Sequence, residues 1–140
     1  MRMNYDLRNS EADGSQRMLN AIEPGSVIAV HRHKKTSETV VCLRGRLVEE
    51  FYSEDGVCVE TVELRPGGPV AVVNIPAGQW HTVRALESGT VILEMKDGRE
   101  AIGPEDVLEL LRWGWFCWGA LDKIWSGEVA KGLLARRFRN

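Results

Sequence analysis

Cysteine and histidine are both scarce in this chain of 140 residues, and each scarcity is informative. The three cysteines, Cys42, Cys58 and Cys117, are odd in number, far apart and free of any Cys-x-x-Cys pair. Neither a disulfide framework nor a thiolate zinc site is suggested, and they read as reduced thiols. An excess of positive charge is also missing: 18 Lys and Arg stand against 20 Asp and Glu, a formal net charge of -2. No global basic field exists to gather phosphates, so nucleic acid is not an expected partner. No uninterrupted apolar stretch approaches the length of a membrane span, and Met1-Arg2-Met3-Asn4-Tyr5-Asp6 lacks the apolar core of a signal peptide. A soluble, cytoplasmic protein is expected.

What is present is apolar content of 44%, enough for one ordinary core. From about residue 17 to 96 short runs rich in Val, Ile, Leu and Thr alternate with Gly, Pro and Asp breaks. These predict strands over 17–23, 26–31, 38–43, 46–53, 57–64, 70–75, 80–86 and 90–96, with Ser53-Glu54-Asp55-Gly56 as the clearest hairpin turn. Eight short strands at this spacing suit an all-β, double-sheet jelly roll. Residues 1–16 are polar and irregular, an arm or a lone edge strand, and the barrel is expected to occupy residues 17–102.

A different composition begins near Gly103, where Pro104-Glu105-Asp106 carries the marks of a helix start and predicts a helix over 105–112. Farther on, Trp113, Trp115, Trp118 and Trp125 are four of the five tryptophans. Trp113, Phe116, Cys117, Ala120, Leu121 and Ile124 form one apolar helical stripe. Arg112, Lys123, Lys131, Arg136, Arg137 and Arg139 outnumber Asp122 and Glu128 there. Residues 103–140 are therefore expected to be a helical, Trp-rich basic tail that packs on the barrel's outer face or across a homodimer. An anionic membrane surface is its second candidate partner.

All three histidines stand in one pattern. Gly25, five residues, His31-Arg32-His33, four residues, Glu38, six residues and Gly45 make the first block; Pro76-Ala77-Gly78-Gln79-Trp80-His81 makes the second. Residues two apart on a strand share a face, so His31 and His33 form a natural chelate. Glu38 adds a hard oxygen donor, and His81 must be brought in by folding. Three imidazoles and a carboxylate leave one or two positions open on an ion of higher coordination, which marks a reactive site. The ion is expected to be divalent: Fe, Mn, Ni or Zn. Arg32 points to the opposite face and reads as surface charge, and Trp80 as a packing residue. Glu94 and Lys96 share a face of the last strand, so Glu94 is either exposed or a catalytic acid or base with a raised pKa.

Both blocks resemble the motifs of the cupin superfamily. More narrowly, residues 16–33, Ser37-Glu38, Leu43-Arg44-Gly45, residues 75–82 and Glu94-Met95-Lys96-Asp97-Gly98 resemble the WbuC family of cupin-fold metalloproteins, over about residues 5–100. The resemblance implies a cupin-type double-stranded β-helix, a bound divalent metal and an association with bacterial surface-polysaccharide biosynthesis. It implies no particular reaction. Two functions follow as expectations. One is a small metal-dependent enzyme, isomerase- or epimerase-like or an oxygenase, acting on a sugar or other polar metabolite. The other is a non-catalytic sensor module that binds metal or ligand and signals through its tail.

Overall fold

A computed structural model describes residues 1–98 and 102–108 of the chain. Ten strands run in order: β1 (Arg2–Asp6), β2 (Ser15–Ile22), β3 (Val30–His31), β4 (Glu38–Arg44), β5 (Leu47–Tyr52), β6 (Cys58–Leu64), β7 (Val72–Ile75), β8 (Trp80–Ala85), β9 (Thr90–Asp97) and β10 (Val107–Leu108). They form two antiparallel five-stranded sheets, ordered β1-β2-β9-β4-β7 and β10-β3-β8-β5-β6. Period-2 alternation turns one face of each sheet inward, and the two faces enclose a core that includes Ile22, Val40, Leu47, Phe51, Leu64, Ile75 and Ile92. This is a jelly roll, the expected all-β architecture. A smaller cluster of Val30, Tyr52 and Trp80 packs with Leu108 on the second sheet.

The strand positions agree with the sequence pattern except at two places, the 26–31 strand and the 105–112 helix. The expected strand over 26–31 narrows to Val30–His31, because the Ile28 carbonyl is taken by the Thr82 hydroxyl at 2.7 Å instead of a ladder partner. Within the first 16 residues, Arg2–Asp6 takes the edge-strand alternative of the sequence reading and pairs with β2. The helix expected over 105–112 is corrected where it is described. Pro104–Asp106 makes a single 3-10 turn, and Val107 and Leu108 are already extended, paired with His31 and Val30. That turn stops because the Asp106 side chain is drawn to Arg32 and Lys34, each at 2.9 Å, while the backbone of β10 joins the sheet. Residues 109–112 and the Trp113-to-Ile124 stripe lie outside the described residues, as does the rest of the basic tail. Among the described residues no helix is long and apolar enough to cross a membrane.

Gly45 fixes the passage from β4 to β5. Its φ of +76° is one that side chains avoid, and a Cβ there would lie 2.5 Å from Thr90 Oγ1 and 2.8 Å from Thr90 Cα. Thr90 is fully buried and its hydroxyl bonds the carbonyls of Arg46 and Glu87, so it has no room to yield. Gly45→Ala should therefore cost roughly 2–4 kcal/mol from backbone strain plus overpacking. Gly25→Ala, at φ +83° with nothing within 4 Å of the added carbon, should cost about 1–2 kcal/mol from strain alone. Urea denaturation of both variants checks the difference, and equal losses would contradict it.

Candidate metal centre

The site is assembled by strand register. His31 on β3 is the direct antiparallel partner of His81 on β8, although fifty positions separate them. His33 follows just beyond β3, and its carbonyl accepts the Gly78 N–H at 2.7 Å. The Pro76–Gln79 turn is thereby tied to the histidine loop. Gly78 takes a φ of +81° in that turn, closed by Gln79 N–H to the Pro76 carbonyl at 3.2 Å, and β8 starts at Trp80. Glu38 opens β4 in the other sheet, faces the histidines and is 5% exposed.

The three histidines and Glu38 offer donor atoms that all lie within 4.8 Å of one another. Glu38 Oε2 is 3.2 Å from His33 Nε2 and 3.4 Å from His81 Nε2. Ring centroids stand 4.4 Å apart for His31 and His81, and 5.2 Å for His31 and His33. A shared ion with bonds of ~2.1 Å needs donors within about 4.2 Å, so the cluster is a few tenths of an ångström from closing on one.

The protonation pattern also fits a cation. Backbone carbonyls of Ala29 and Gln79 lie 2.9 Å and 2.8 Å from Nδ1 of His31 and His81. Each fixes the tautomer with the proton on Nδ1 and leaves Nε2 a lone pair turned into the site. Burial, then the neighbouring His81, pull His31 down to about 4, so it stays a neutral ligand at ordinary pH. Burial pushes the Glu38 carboxyl up, yet the facing imidazoles of His33 and His81 more than offset this and hold it below the usual carboxylate range. With no proton on His81 Nε2, that atom and Glu38 Oε2 would be two acceptors 3.4 Å apart. A divalent cation between them satisfies both, and the residues fit one. Lys96 Nζ lies 3.0 Å from His33 Nδ1 and 3.2 Å from Nε2, so coordination through His33 replaces one of these contacts.

The cluster lines a cavity of about 410 Å³, within the range of small-molecule sites. Glu94 and Lys96 both line it, so the shared face read from the sequence is the inward one. Burial first, then Glu38, push the Glu94 carboxyl up to about 7, against the lowering effects of Arg2, Asn20 and Lys96. The cavity also holds Glu49, which the sequence analysis did not single out. The signal was available: Leu47, Glu49 and Phe51 alternate onto one face, so Glu49 had to turn inward beside two core residues.

Arg32 does point away from the site, but its reading as surface charge is corrected. Its guanidinium stacks 4.3 Å over the buried Trp80 ring and bonds Asp106 and, at 3.3 Å, Glu54. The pair with Asp106 holds the 102–108 segment against β3, where Ile102 and Val107 complete the cavity wall.

A family model described as a domain of unknown function (DUF6016) matches residues 1–64. No curated protein matches the sequence. Among solved structures, KdgF from Halomonas sp. is 16% identical with a TM-score of 0.57, covering 71% of this chain and 80% of its own. TT1209 from Thermus thermophilus is 24% identical with a TM-score of 0.57, covering 71% and 85%. Bacillus subtilis oxalate decarboxylase, described with Mn(II) centers, is 19% identical with a TM-score of 0.56, covering 80% of this chain and 28% of its own. The fold is a cupin-type jelly roll with a histidine and glutamate cluster in its barrel.

The raised Glu94 pKa makes stability depend on pH with a definite sign. Its folded value of about 7 exceeds the ordinary 4.5, so the native ion-free chain binds more protons in that window. Stability contributed by this group is full below about pH 4.5 and lost as pH rises through 7. The loss is on the order of 3 kcal/mol. His31 contributes the opposite slope below its ordinary range, but equally in wild type and variant. Glu94→Gln should therefore lose less stability than wild type between about pH 5 and pH 8, read by denaturant midpoints. Parallel declines would contradict the assignment.

Proposed function

We propose that the chain is a divalent-metal-dependent enzyme acting on a small polar metabolite such as a sugar, with His31, His33, Glu38 and His81 as ligands and Glu94 as acid or base. The observation that carries this reading is the coincidence, in one cavity, of a four-residue donor cluster with a half-buried carboxyl whose pKa is pushed up to about 7. A purely structural site would be closed and dry, whereas this cluster borders space for a substrate. The bound ion would act as a Lewis acid on a substrate oxygen. The chain's own residues then exclude water with Met18, Val40 and Val83, orient the substrate, and exchange a proton at the Glu94 carboxyl. Isomerisation or epimerisation suits this set without a further cofactor.

Fe(II) ligation would instead favour an oxygenase, and the non-catalytic sensor is the alternative outside enzymology. The open cavity favours a reactive centre over a sensor with a crowded site. The resemblance to WbuC proteins makes bacterial surface-polysaccharide biosynthesis the proposed setting, in the cytoplasm, with a homodimer through the tail as the proposed assembly.

Purified protein should contain one divalent ion per chain by elemental analysis. His33→Ala and His81→Ala should each weaken uptake by at least about 100-fold. Ion at roughly 100 times its Kd should stabilise the wild-type fold by about 2.7 kcal/mol. Full uptake by both variants would contradict the ligand set, and a zinc protein inert to oxygen would remove the oxygenase branch.

A further inference from the structure

Glu49 has no part in the metal cluster, yet it is buried where a carboxyl is expensive to keep. It sits at the centre of β5, is 1% exposed, and neither carboxyl oxygen has a hydrogen-bond partner among the described residues. It lines the same cavity as the histidines. An isolated charge there would cost several kcal/mol or more, so a group retained at this position needs a proton, a ligand, or both.

Register fixes its depth. In the second sheet His81 pairs with Phe51 and Val83 pairs with Glu49, so Glu49 stands one pleat repeat from the His81 row. In the first sheet Glu38 pairs with Lys96 and Val40 pairs with Glu94, so Glu94 stands one repeat from the Glu38 row. Both carboxyls are displaced from a metal ligand by two residues, about 7 Å along the strands. They come from opposite sheets, and each raises the charging cost of its surroundings: Glu38, Glu94 and Glu50 all push Glu49 further up than burial alone does. A protonated Glu49 offers an O–H donor, and Glu94 offers an acceptor oxygen. Met18 and Val40, the register partners of Glu94, and Val83, the partner of Glu49, add apolar wall beside the two carboxyls. A ligand bearing its own negative charge would meet the Glu38 and Glu94 carboxylates here, with Arg2 and Lys96 on the same wall already offset by Glu94, whereas a hydroxyl both donates and accepts.

We propose that Glu49 and Glu94 form a hydroxyl-recognising pair beside the metal cluster, and that the cavity takes a short, uncharged hydroxy-carbonyl or polyol compound reaching from the cluster to the pair. This rests on the reading of the barrel as a metal-dependent enzyme for polar metabolites, and it names that substrate class. Glu49 donates to the far oxygen of the ligand and Glu94 accepts from it. Dianions are rejected at this depth.

The test is difference infrared spectroscopy on the full chain loaded with zinc, using dihydroxyacetone as the uncharged probe and oxalate as the dianion. Wild type at neutral pH should show a protonated-carboxyl C=O band that Glu49→Gln removes and that dihydroxyacetone shifts. Oxalate should leave that band in place. Glu49→Leu should keep its zinc and lose at least tenfold in dihydroxyacetone affinity by calorimetry. A missing band, a Glu49→Gln spectrum that loses none of its protonated-carboxyl intensity beyond what Glu94 contributes, as identified with Glu94→Gln, or a Glu49 component that ignores dihydroxyacetone would overturn the pair while the zinc content stands. Should the chain take up no zinc, the metal reading fails instead. The band of the ion-free chain and its loss in Glu49→Gln then still decide whether Glu49 carries a proton.

Discussion

One antiparallel pairing, His31 on β3 against His81 on β8, is the constraint on which the rest of the site depends. It joins the two histidine-bearing segments of the sequence in one row of the second sheet. The carbonyls of Ala29 and Gln79, each two residues before its histidine, then lock the same tautomer on both sides of the row. A one-residue slip of either strand would turn an imidazole to the outside and detach its carbonyl. The pairing is supported from both flanks: β5 continues the row with Phe51, and β10 extends it with Val107. Arg32, pressed between Trp80 and Asp106, fastens that last strand in place.

The electrostatics of the barrel follow from packing charged groups around that row. Three carboxyls, three imidazoles, Arg2 and Lys96 line one cavity. Their environments divide them. Glu38 faces imidazoles and keeps its charge; Glu94 has Arg2, Asn20 and Lys96 in partial compensation and is pushed up to about 7; Glu49 has no such compensation, and burial with the neighbouring carboxyls pushes it well above the usual carboxylate range. Carboxyls with separated pKa values in one cavity are what acid and base chemistry requires. A cation at the cluster would tip the same balance further toward ionised carboxylates.

The cluster of His31, His33, Glu38 and His81 was legible in the sequence because its spacing is local: His31 and His33 are two apart, Glu38 follows at a short offset, and Pro76 and Gly78 announce the turn before His81. Seven of the eight expected strands lie close to their observed bounds, since period-2 alternation in a half-buried sheet writes itself directly into composition. What was hidden depends on partners distant in the chain. The Pro104-Glu105-Asp106 signature is a sound local rule, but it lost to β10 pairing with β3 and to the pull of Arg32 and Lys34 on Asp106. Arg32 read as surface charge because nothing nearby in sequence reveals that Asp106 and Trp80 flank it. Glu49 was obscured by its neighbour: Glu49-Glu50 looks like an ordinary polar pair until the register shows one carboxyl turned inward and the other bonded to Tyr52 and Arg84.

The central claim is that four side chains from two sheets converge on one cation. X-ray absorption at the metal edge of the ion-loaded protein tests it most directly. The account predicts an inner shell containing three imidazole nitrogens and at least one carboxylate oxygen at about 2.0–2.2 Å, with no sulfur. A shell of oxygen alone, a thiolate at about 2.3 Å, or fewer than three imidazoles would contradict it.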